Sequence, residues 1–126
     1  MAITFIDDQH REFYETRKDL RTASEYRALV YVLGISPETR AHYADLYRDR
    51  AIRPEGLYES WQTGTTSALT RLAFCTYTGH PVYDYNLEGT EAENAIATYC
   101  TADIFGVLGT YLPYALQGVQ IAYGGR

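Results

Sequence analysis

The sequence predicts an all-α fold, a compact single-domain bundle of about five helices with a central buried helix near residues 66–78. Two observations carry this. Apolar residues recur at spacings of three and four in several separate stretches, and those stretches are bracketed by Ser, Thr or Asp ahead and by Gly or Pro behind. A chain of 126 residues is long enough to bury one core without metal or disulfide staples, so residues 1–126 are read as a single helical domain.

Taken in order, Ile3-Thr4-Phe5-Ile6 is extended, and Asp7-Asp8 opens a first helix that runs to about Leu20. The acids suit its free N–H groups and its dipole. Its inward stripe is His10, Phe13, Tyr14, Arg17 and Leu20. Ser24 is the expected cap of a second helix, Glu25 to Leu33, closed by a left-handed Gly34. The run Ala28 to Leu33 is apolar on every side, which places it inside the bundle. Ser36-Pro37-Glu38 starts a third helix with Thr39, His42, Tyr43, Leu46 and Tyr47 on one face, ended by Arg48-Asp49-Arg50 and Arg53-Pro54.

A short turn at Pro54 to Tyr58 leads to Trp61. Thr63, Thr65 or Thr66 then caps the central helix, about Ser67 to Thr78, which Gly79-His80-Pro81 stops. Residues 82–98 read mostly as loop, with a marginal helix at 91–96, and Thr101 to Gly106 as a capped single turn. The last helix is expected at Tyr111 to Tyr123, with Leu112, Ala115, Leu116, Val119, Ala122 and Tyr123 on its inner face. Gly118 would weaken it locally while permitting close packing.

The chain carries 13 Tyr and a net charge of -5. That charge argues against direct nucleic-acid binding, which rests on clustered Lys and Arg. Tyrosines suit both core edges and binding faces. Cys75 and Cys100 lack a paired spacing, so no disulfide framework, metal site or cofactor is indicated. No apolar run is long enough to cross a membrane, and a reduced, cytoplasmic location is expected.

Several stretches together resemble the domain-of-unknown-function family 6075: Gln9-His10, Tyr31-Val32-Leu33-Gly34, Trp61-Gln62-Thr63-Gly64-Thr65, Thr70-Arg71-Leu72-Ala73-Phe74 with Gly79, and Tyr111-Leu112-Pro113-Tyr114 with Ile121 and Tyr123. The resemblance spans nearly the whole chain. It implies one helical domain in a family of small proteins from Gram-positive bacteria and their mobile elements. It brings no catalytic residue with it.

The candidate contact residues are Trp61, Gln62, Thr63, Gly64, Thr65, Arg71 and His10. Arg71 is the only permanent charge between Trp61 and Tyr83, so it needs a partner elsewhere in the chain or a ligand. His10, on an apolar face, reads first as a core residue with a satisfied ring nitrogen. Gly64 to Ser67 at a helix start is explained by capping before it is explained by anion binding. It lacks the P-loop spacing and lysine.

Three functions follow from these residues. The leading one is a small acidic protein of phage or mobile-element origin that docks on a host protein, for instance an inhibitor of a defence system such as a CRISPR effector, with a homodimer also allowed. The alternative is a module binding a phosphorylated small molecule at residues 64–71. An enzyme comes third, since no nucleophile and base are paired in the sequence.

Overall fold

The computed structural model describes residues 2–17, 23–79 and 101–124. Among these it contains seven α-helices: α1 Asp8–Arg17, α2 Ser24–Leu33, α3 Pro37–Ala41, α4 Tyr43–Leu46, α5 Gly64–Thr78, α6 Thr101–Phe105 and α7 Leu112–Tyr123. No helix among the described residues is long and apolar enough to cross a membrane. The sequence-based reading of residues 82–98 lies outside the described residues.

Helix α2 is enclosed by α1, α5 and α7. Ala28 to Leu33 are all fully buried, as a helix apolar on every side requires. Two glycines let its neighbours come close. A methyl group on Gly34 would lie 2.9 Å from ring carbons of His10 and Phe13 on α1. One on Gly118 would overlap Cγ2 of Val32. Helix α5 is the other central element: it packs on α2, α3, α6 and α7, and buries Leu69, Leu72, Ala73 and Phe74.

The local start and stop signals hold with two corrections. Ser36 accepts the N–H of Thr39 with Pro37 in the first turn of α3, and Gly79 closes α5 in the left-handed conformation with φ 83°. Ser24, by contrast, is the first residue of α2 rather than its cap, and its hydroxyl reaches the carbonyl of Ala122 at 3.3 Å. Gly34 keeps φ -80°, so its role is the close approach of α1 and not a left-handed turn.

The third expected helix is broken twice. It pauses at His42, between α3 and α4, and then gives way to a two-residue ladder pairing Tyr47 with Ile52 and Arg48 with Ala51. Asp49 and Arg50 both have positive φ, 56° and 64°, the two-residue turn whose twist matches paired strands. Charged residues ended the helix as expected, but by folding back.

Helix α7 is rotated from its expected register. Ala115, Gln117, Gly118, Ile121 and Ala122 are buried, whereas Leu116 and Tyr123 are 49% and 48% exposed. The glycine decides this: α7 presses its narrowest face on α2, and the bulkier Leu116 is left outside. Gln117, turned inward, accepts the N–H of Thr4 at 3.3 Å and so holds the N-terminal segment.

Many of the tyrosines serve the interior. Tyr26 and Tyr43 share a hydroxyl contact of 3.0 Å, as do Tyr47 and Tyr77, and the ring of Tyr47 meets those of Tyr26 and Tyr43 at a tilt. Burial raises the Tyr43 phenol far above its ordinary value, with its bond to Tyr26 acting in the same direction. The Tyr43 hydroxyl therefore stays protonated.

Candidate functional site

The surface around Trp61 is assembled from three pieces of chain. The 3-10 turn Pro54–Tyr58 delivers Glu59, Ser60 and Trp61, α3 ends at His42, and α5 begins at Gly64. The Trp61 and His42 rings stack face to face, 4.2 Å apart and 4° from parallel. Asp45 holds the histidine from the other side, 3.0 Å from its Nδ1. The indole is thus half-buried in a fixed orientation rather than free to rotate.

Gln62 locks this arrangement from beneath. Its side-chain amide donates to the Gly56 carbonyl at 3.2 Å and to the Thr70 hydroxyl at 3.3 Å, while its oxygen accepts from the Thr66 hydroxyl at 2.7 Å. Thr63 and Thr66 form a reciprocal capping box, each hydroxyl accepting the other's backbone N–H at 3.1 and 2.8 Å. Replacing Gln62 by leucine should therefore lower stability by about 1–3 kcal/mol, since two buried threonine hydroxyls lose a partner. A denaturant midpoint unchanged from wild type would contradict this.

Beside Trp61 lies a cleft of about 400 Å³ between the starts of α3 and α5 and the segment joining α6 to α7. Its lining includes Glu38, Thr63, Thr65, Thr110 and Tyr111. The Thr65 hydroxyl donates to the Val107 carbonyl at 3.3 Å, tying the two walls together. Glu38 is exposed and forms no ion pair with a described residue. A full carboxylate charge outweighs the roughly half charge of a helix start, so this cleft disfavours a phosphate.

A second hollow, of about 220 Å³, adjoins the first across Val107 and is lined by Gly64, Ser67, Ala68, Arg71, Asp103 and Ile104. Arg71 and Asp103 thus line one hollow.

His10 stands apart from this surface. It is fully buried, with its ring 4.5 Å from that of Tyr31 at a tilt of 52° and edge-on to Phe5. Its Nδ1 accepts the N–H of Ile6 at 3.2 Å, so Nε2 carries the proton and donates to the Tyr31 carbonyl at 2.8 Å. Burial, only partly offset by that carbonyl, lowers its pKa from the ordinary 6.5 to about 4. This is a neutral histidine that pins the N-terminal segment to α2.

A family model described as a family of unknown function, DUF6075, matches residues 1–126, the whole chain. The chain belongs to DUF6075. Comparison with curated proteins and with solved structures gives no match.

In this DUF6075 member the run Trp61 to Thr65 has a physical account: an oriented indole, a hydrogen-bonding hub, a helix cap and a tight start. Trp61, Gln62, Thr63, Gly64 and Thr65 come together, with Arg71 one hollow away. Sequence reasoning missed Glu38, His42, Asp45 and Val107. The only local signal was that Glu38, His42 and Asp45 follow at spacings of four and three. Among the described residues no three His, Cys, Asp or Glu side chains are placed to hold a metal.

Proposed function

We propose that this protein is a binding module that docks on a basic surface of a partner protein through the face centred on Trp61. The observation that carries this reading is the indole held flat on His42, with Asp45 behind the histidine. A large aromatic whose rotamer is already fixed loses little entropy on contact, which is the property of an anchor residue. The setting supplies the charge preference. Glu38 and Glu59 are exposed to either side in sequence and form no ion pair with a described residue. They favour a cationic partner and speed the encounter with it.

The class of partner that matches this chemistry and an origin in phage or other mobile DNA is a host protein that handles nucleic acid in the cytoplasm. A CRISPR effector, whose nucleic-acid channel is basic, is one example. Inhibition by occupying such a channel is the corresponding activity.

The test is affinity capture from a host lysate at moderate salt, followed by binding of the identified partner to purified protein. Trp61→Ala should weaken binding by a factor of about 30 or more, the loss typical of an anchor residue. Glu59→Lys, on the exposed rim, should slow association and flatten its salt dependence. Circular dichroism checks that both variants remain folded. Failure to capture a specific partner, or a partner insensitive to both substitutions, would end this reading.

A further inference from the structure

We infer that the cleft beside Trp61 is a receptor for one basic side chain, an arginine or lysine supplied by the partner. This rests on the docking reading and deepens it. The cleft of about 400 Å³ has room for a long side chain together with part of its backbone. It lies near the aromatic anchor, for Thr63 is two residues from Trp61, and Glu38 is joined to His42 by the backbone bond from His42 N–H to the Glu38 carbonyl. A partner docked on the indole is within reach of the cleft.

The lining selects the occupant. Glu38 places a carboxylate in the wall with no cation among the described residues to neutralise it. Tyr111 and Thr110 line the same space, residue types that offer an aromatic surface and a further hydrogen-bond acceptor. The start of α5 works against a cation, with roughly half a charge. One of its N–H groups, that of Thr66, is already taken by Thr63. The full charge of Glu38 prevails, and a guanidinium or ammonium satisfies it where a phosphate would not.

The experiment is an amide NMR titration of the full-length protein with N-acetyl-arginine methylamide, its citrulline counterpart and inorganic phosphate. The arginine probe should shift the Thr65, Thr110 and Tyr111 resonances in a saturable way. The citrulline probe, neutral but nearly isosteric, should bind about tenfold or more weakly, and Glu38→Gln should reduce arginine affinity by a similar factor. Glu38 is exposed and makes no side-chain contact within the described residues that folding depends on, so its variant tests charge alone. Equal binding of citrulline, an unaffected Glu38→Gln protein, saturable phosphate shifts at the same residues, or no saturable shift at all overturns the assignment. Once a partner is in hand the two readings separate. If Trp61→Ala loses the partner and Glu38→Gln keeps full affinity, the cleft assignment falls and docking stands. If arginine binds in the cleft while no partner depends on Trp61, the docking reading alone falls.

Discussion

Gly118→Val should be the most damaging single substitution outside the candidate site, costing about 3 kcal/mol or more and abolishing a cooperative transition at moderate temperature. The reason is geometric. Even a methyl group at Gly118 would overlap Cγ2 of Val32, which lies on α2 among residues that are wholly buried. Neither helix can retreat, because α2 is held from its other sides by α1 and α5. For alanine the sign is a contest. Helix propensity favours Gly118→Ala by about 1 kcal/mol, and overpacking opposes it by about 1–3 kcal/mol. A net loss is expected because the neighbour is the rigid side chain of a valine rather than the end of a flexible one.

Two controls isolate the cause. Gly64→Ala, at a position where an added methyl meets nothing within 4 Å, should be neutral or slightly stabilising. Pairing Gly118→Ala with Val32→Ala should recover part of the loss, since the second change removes the atoms that the first one strikes. Thermal melts of wild type, Gly118→Ala, Val32→Ala and the double variant settle the matter: additive losses in the double variant would show that the contact between α2 and α7 is not the source.

Acid should weaken the fold through His10 well before the carboxylates titrate. Burial holds its pKa at about 4 against an ordinary 6.5, so between these values the unfolded chain binds a proton that the folded chain refuses. Stability is fully present above pH 6.5 and is lost as pH falls toward 4. Between pH 7 and pH 5 the loss should be roughly 2 kcal/mol, at about 1.4 kcal/mol per pH unit once the unfolded histidine is charged. The geometry agrees with the sign. A proton on Nδ1 would face the N–H of Ile6, and the charge would sit between the rings of Phe5 and Tyr31. Urea unfolding at the two pH values, on wild type and on His10→Gln, is the measurement. The variant should be less stable at neutral pH yet show a much flatter response to acid. An equally steep response in the variant would assign the effect to other groups.

His10 bears out the first reading of a histidine on an apolar face: it is buried, and both ring nitrogens have backbone partners on separate segments. The surface signal lay in His42, which the sequence offers as one more residue on a helical stripe. Its distinction comes from the break between α3 and α4 and from a tryptophan delivered by a later turn.

The sequence alone determined the all-α class and several of the points where helices begin and end. Ser36 with Pro37, the threonines before α5, and Gly79 after it each act within three or four residues, through backbone bonds that do not depend on the rest of the chain. It also determined that α2 is interior, because a stretch apolar on all sides has nowhere else to be. The tertiary structure decided which face of α7 turns inward, where the third helix breaks, and which side chains share the surface beside Trp61. Those outcomes rest on contacts between distant segments: Gly118 against Val32, His42 against Trp61, and Glu38 across from Thr110. Periodicity marks Leu116 as a core position, but only the close approach that a glycine allows reveals why the helix turns it out to solvent.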